Sequence, residues 1–191
     1  IKTEAFRELF QECDECDEII KHHIDNAGVS RYKKFENAYR NILNLPFTDE
    51  MSRALSRKFS EICLKKILAC PFVPAAREFL KENAGRLKLF VVSGTPTKEL
   101  LHITQQRSIA NYFTGIYGTP ASKPEIINKI LSEHNLSKDE VIFVGDAMSD
   151  YRAATETSIP FLGRLTDENQ DTFGKLGVNT FRGYTELNVN L

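Results

Sequence analysis

The chain has 191 residues, 41% of them hydrophobic and 27% charged, which is enough apolar material for one ordinary domain or a core with a modest insertion. Its net charge of -1 argues against broad electrostatic binding to nucleic acid. No apolar run reaches the roughly 20 residues of a membrane helix, so a partner in the membrane is not expected.

The chain opens with an amphipathic pattern. "EAFRELF" puts Ala5, Phe6, Leu9 and Phe10 on one helical face, and Ile19, Ile20 and Ile24 continue it. "FENAYRNIL" and "MSRALSRKFSEICLKKIL" read the same way, the latter with Leu55, Phe59, Ile62, Cys63 and Ile67 in one stripe. "DNAGVSR", "NLPFTDE" and "CPFVP" break these segments. A helical unit of about four helices is predicted. Cys13 and Cys16 form a C-x-x-C, but carboxylates flank it and would raise a thiol pKa. All four cysteines are expected to be reduced, as in a cytoplasmic protein. The four histidines form no metal-ligand spacing with them.

The texture changes at Leu87. "LKLFVVS" reads as a strand, "TKELLHITQQRSI" as a helix, "FTGIYG" as a strand and "PEIINKILSEHN" as a helix. "VIFVG" and "IPFLGR" are further strands, with "DYRAATET" helical between them. "DENQDTFGKLG" and "VNTF" close the series as helix and strand. Strands alternating with helices, and apolar throughout, predict a parallel sheet covered on both faces. In such sheets ligands bind beyond the carboxyl ends of the strands.

Three strand ends carry chemistry. Ser93-Gly94-Thr95-Pro96 offers a hydroxyl, close backbone approach at Gly94, a Thr95 cap and Pro96 at a first helical position. Amides at that helix start favour an anion. An ordinary strand-to-helix turn would use the same residues. Ser122 and Glu125 fit a capping box, which places Lys123 at the positive end of a helix dipole and calls for an anion nearby. A lysine simply pointing into water is the plainer alternative. Gly145-Asp146 ends the third strand, and Asp150 falls in the first turn of the next helix. Two crowded carboxylates repel unless a cation or proton is shared, and Mg²⁺ suits this case. Helix capping by Asp146 and dipole compensation by Asp150 is the alternative. Together the three strand ends supply what phosphoryl transfer requires: positioning and electrostatics.

"LFVVSGT", "SKPE" and "VGDAMSD", in this order, resemble the motifs of the haloacid dehalogenase (HAD) superfamily. The nearest branch is that of β-phosphoglucomutase and phosphoglycolate phosphatase. The resemblance implies a Rossmann-like α/β parallel-sheet core over residues 73–191 and a four-helix cap over residues 1–72. It implies a Mg²⁺-dependent phosphatase of a small phosphorylated metabolite, cytoplasmic and a monomer or weak dimer. In that resemblance Ser93 binds the transferring phosphoryl group with the amides of Gly94 and Thr95. Lys123 neutralises that group. Asp146 binds Mg²⁺ directly, and Asp150 binds it through water or orients its neighbours. "GVSR", Gly28 to Arg31, resembles a substrate-facing cap loop, with Arg31 the candidate contact.

The family's D-x-D-G-[TV] motif, which carries the aspartate nucleophile, does not occur in residues 1–191. The chain begins with Ile1 rather than Met, so that motif is expected just upstream. It would lie on a central strand between those ending at Ser93 and Gly145. Without such a strand the sheet has a slot edged by unpaired backbone groups. A phosphomutase, or a non-catalytic module that keeps the pocket, remains open on these residues.

Overall fold

The structure is a computed structural model that describes residues 1–26, 29–167 and 169–187. The chain divides into two compact units, Ile1–Cys70 and Pro71–Leu191.

The first unit is helical. Helices α1 (Lys2–Phe10), α2 (Cys16–Asp25), α3 (Arg31–Asn37) and α4 (Asp49–Ala69) surround a shared core, and a π-helical turn over Ala38–Ile42 extends α3. Helix α4 starts at Thr48, whose hydroxyl accepts the Met51 N–H at 3.2 Å. The amphipathic stripes meet as the sequence predicts: Ala5, Phe6, Phe10, Ile19, Ile20, Phe35, Phe59 and Cys63 are all buried. Phe6 lies 5.3 Å from Phe35 and 5.1 Å from Phe59, ring centre to ring centre. Ile24 departs from the expected stripe and is 55% exposed. Its place in the core is taken by His23, whose ring lies tilted against Phe6 with centres 4.0 Å apart.

The second unit is α/β. Helix α5 (Ala76–Asn83) leads into strand β1 (Phe90–Pro96), helix α6 (Thr97–Gln106) and strand β2 (Gly115–Thr119). Helix α7 (Lys123–Glu133), strand β3 (Phe143–Gly145) and helix α8 (Met148–Thr157) follow. Strand β4 (Phe161–Arg164), helix α9 (Gln170–Leu176) and the short strand β5 (Thr180–Phe181) complete the unit. All strand pairing is parallel, as apolar strands alternating with helices require.

The pairing does not make one sheet. β1 pairs with β2, and β3–β4–β5 form a second sheet, so β1 and β3 are each paired along one edge among the described residues. Helix α7 packs on both β1 and α8, and α8 packs on β3 and β4. The two sheets are therefore joined through helices. Strands buried on both faces were expected, yet Val144 in β3 is 37% exposed and Ile142 just before it 53%. A strand with one paired edge lacks the neighbour that would cover it.

Candidate active site

The first strand end differs from its sequence reading. Thr95 does not cap α6, and Pro96 is not the first helical residue. Strand β1 instead runs on to Pro96, which pairs with Thr119. Thr97 makes this extension possible. Its hydroxyl accepts the Gly118 N–H at 3.1 Å and donates to the Thr119 carbonyl at 3.3 Å. Position 118 must be glycine, because a Cβ there would lie 2.1 Å from the Thr95 carbonyl oxygen. Within the turn, the Thr95 N–H donates to the Ser93 hydroxyl at 3.2 Å. This fixes the Ser93 oxygen, uses the Thr95 amide and leaves the Ser93 O–H as a donor. Gly94 is exposed, and a Cβ there would meet nothing within 4 Å.

The second strand end follows its sequence reading. The Ser122 hydroxyl accepts the Glu125 N–H at 3.4 Å, and the Glu125 carboxylate accepts the Ser122 N–H at 2.7 Å. Hydrogen bonding from the Ser122 backbone, then from its side chain, holds the Glu125 carboxyl below its usual pKa. This reciprocal cap sets the direction in which Lys123 leaves the helix. Its ammonium donates to the Asp150 carboxylate and, at 3.0 Å, to the Ser149 hydroxyl. The anion demanded by a lysine at a helix N-terminus is thus supplied by the chain itself.

At the third strand end the two aspartates separate. Asp150 is buried, at 7% exposure. One carboxylate oxygen meets Lys123, and the other accepts the Ala147 N–H at 3.0 Å, which ties down the start of α8. Gly145 makes room for this side chain, since a Cβ there would sit 2.3 Å from the Asp150 Cβ. Asp146 is exposed, and no hydrogen bond or ion pair to its carboxylate is found among the described residues. It does not cap α8, whose N-cap is Ala147. Its main-chain carbonyl accepts the Asn169 side-chain amide at 2.7 Å.

Lys123, Ser149 and Asp150 are thus brought together, as are Ser93 and Thr95. No hydrogen bond joins the two groups among the described residues. Arg31 belongs to the first unit, where it donates to the Ser60 hydroxyl at 2.5 Å and lies over the Phe59 ring at 4.9 Å. Gly28, the first residue of the "GVSR" reading, lies outside the described residues. Sequence reasoning missed Asn169, whose signal is only an Asn just before a helix. It also missed Tyr184, packed on Phe79 at 5.1 Å and Phe181 at 5.3 Å. Burial pushes the Tyr184 phenol up, Arg164 opposes this and Asp146 adds to it, so both charges act near that ring.

A metal must be judged against this donor set. Among the described residues no group of three or more His, Cys, Asp or Glu side chains is arranged to hold an ion. Mg²⁺ does not need such a cage, because it is commonly bound through one or two carboxylates with waters and substrate phosphate. Asp146 fits as one such carboxylate. Asp150, already committed to Lys123 and Ala147, fits as a support rather than a ligand.

The family model for haloacid dehalogenase-like hydrolases matches residues 2–163. The chain belongs to this family. Among curated proteins, a phosphoglycolate phosphatase from Vibrio vulnificus is 31% identical over 96 residues. That match spans 47% of this chain and 42% of the Vibrio protein, so the chain covers under half the relative's length. A phosphoglycolate phosphatase from Vibrio cholerae is 32% identical over 71 residues, 35% of this chain and 31% of its own. Among solved structures, a β-phosphoglucomutase from Clostridium difficile superposes with a TM-score of 0.71 at 15% identity, covering 98% of this chain and 86% of its own. A haloacid dehalogenase-like hydrolase from Streptococcus pneumoniae gives 0.69 at 20% identity, covering 93% and 83%. These structural likenesses establish the HAD fold.

Proposed function

We propose that this HAD protein is a Mg²⁺-dependent phosphatase of a small phosphorylated metabolite, acting in the cytoplasm through an aspartyl-phosphate. The observation that carries the reading is the division of labour at β3: Lys123 and the Ala147 amide hold Asp150 in place, and Asp146 stays exposed at the strand end. The phosphoglycolate phosphatase names of its relatives support the same reading.

In this reading the Ser93 hydroxyl donates to the transferring phosphoryl group, helped by the main-chain N–H of Gly94, while the Thr95 N–H holds the Ser93 oxygen in place. Lys123 adds positive charge beside it, and Asp150 keeps the ammonium oriented. Asp146 would hold Mg²⁺, which supplies charge neutralisation for the phosphate oxygens. The aspartate that accepts the phosphoryl group is expected on an extended strand between β1 and β3. The one-sided pairing of those strands supports that placement. As the ester P–O bond breaks, the substrate's alcohol leaves and takes up a proton, and water then hydrolyses the aspartyl-phosphate to phosphate and the free carboxylate. The first unit acts as the cap, with Arg31 as its substrate contact.

The test is Mg²⁺-dependent turnover of p-nitrophenyl phosphate and a broad panel of phosphate esters by the full-length protein. Turnover that disappears with EDTA and returns with Mg²⁺ supports the reading, and failure across the whole panel refutes it.

A further inference from the structure

We infer that Asn169 is a positioning residue for Asp146, holding the candidate metal-binding aspartate at the end of β3. The inference rests on the reading of Asp146 as a Mg²⁺ ligand. It starts from where the β3–β4 ladder stops. The last paired residues are Gly145 and Gly163. Asp146 and Arg164 are the next residue on each strand, and their carbonyls both accept from the Asn169 side-chain amide, at 2.7 Å and 2.9 Å. One side chain thus joins the two strands one step past their own pairing.

Asn169 gives up something to do this. It is the N-cap residue of α9, where an Asn side chain ordinarily accepts a helix N–H, yet it makes no such cap bond. Its oxygen instead accepts the Thr166 N–H at 2.7 Å, which pins the loop leaving β4. Both polar atoms therefore turn away from the helix and toward the strand ends. The anchor itself is firm. The Asn169 carbonyl accepts the Phe173 N–H at 3.1 Å, and Phe173 is fully buried. Its ring meets Phe161 of β4 at 5.6 Å, and Gly163 gives it room, since a Cβ there would lie 3.0 Å from it. A buried side chain on α9 thereby sets where the Asp146 backbone lies. The exposed carboxylate inherits that position.

The test is Mg²⁺ alone, titrated calorimetrically into folded protein well below its melting temperature. Four variants are compared: Asn169→Ser, Asn169→Ala, Asp146→Asn and Ile127→Val. Serine is a good N-cap and keeps α9, but it is too short to reach the Asp146 carbonyl. Loss of a group that orients a metal ligand typically weakens binding by about tenfold or more. Asn169→Ser and Asn169→Ala are expected to show that loss. Ile127→Val, a core truncation between α7 and α8, is expected to keep the wild-type constant. Wild-type affinity in both Asn169 variants, alongside lost binding in Asp146→Asn, overturns this inference and leaves the metal reading standing. Wild-type affinity in Asp146→Asn overturns the metal reading and this inference with it. Equal weakening in Ile127→Val makes the effect one of general stability and also overturns the inference.

Discussion

The two units use burial differently. In Ile1–Cys70, rings from three helices close on one another, and Phe6 and Phe35 are 1% and 0% exposed. In Pro71–Leu191 the strands are largely half-buried, and the buried polar groups Thr95 and Asp150 lie near strand ends. The first unit is an aromatic core that also encloses His23 and Lys34, which among the described residues bond to each other rather than to any candidate site residue. The second places its polar groups where β1, β2 and β3 finish, and keeps their geometry with short hydrogen bonds instead of bulk. Stability and candidate function are therefore separable by position, and substitutions in the two units are expected to fail in different ways.

The largest effect is expected at Phe35. Truncation to alanine removes a fully buried ring and should cost about 3–5 kcal/mol in chemical denaturation. Next is Asp150→Asn, which leaves the Lys123 ammonium, 20% exposed, without its anion. Breaking a largely buried pair from one side should cost about 3 kcal/mol in the same measurement. A cost well under 1 kcal/mol would show that Lys123 escapes to water instead. The equivalent charge removal in the exposed Arg7–Asp17 pair, with side chains 55% and 92% exposed, should change little.

The third prediction concerns pH and belongs to the first unit alone. Burial, then the charges of Lys34, Lys2 and His22, lower the His23 pKa from 6.5 to about 4. Folded His23 therefore binds protons less readily than unfolded His23. The stability it contributes is complete above pH 6.5 and is lost as pH falls toward 4. Between pH 7 and pH 5 the loss should be about 2 kcal/mol by linkage, and His23→Leu should flatten that slope. Lys34, 5% exposed and donating to the His23 carbonyl at 2.9 Å, has the same sign. Burial lowers its pKa to about 8, so its contribution rises as pH goes from 8 toward 10.5. A stability profile flat from pH 7 to pH 5 would contradict the buried histidine. A smaller effect than these is expected at Thr48→Ala, where loss of the α4 cap should cost about 1 kcal/mol.

Much of this was legible in the sequence because it is local. Ser122 and Glu125 are three residues apart, and their reciprocal cap follows from that spacing. Apolar runs between helices gave parallel strands, and Gly145 marked the end of one. What depended on distant partners was not legible. Nothing near Thr95 shows that Thr97 will staple β1 to the end of β2 and so extend the strand past the expected cap. Nothing near Lys123 shows that its anion is Asp150, 27 residues on. His23 and Ile24 are adjacent, and helical periodicity favoured the isoleucine for the core. Close ring contact with Phe6 and a bond from Lys34 put the histidine there instead. The split between the two sheets was legible only as a slot implied by the family resemblance.

The central claim is that Asp146 and Lys123 serve phosphoryl transfer while Asp150 holds the site in shape. The most direct test is Mg²⁺-dependent phosphate release by the full-length protein, run beside Asp146→Asn and Lys123→Met variants that remain folded. The account predicts that each variant loses activity by at least about a hundredfold, as expected when a charge aimed at the transferring group is removed. Phosphate release that persists in both variants, or that continues unchanged in EDTA, would contradict it.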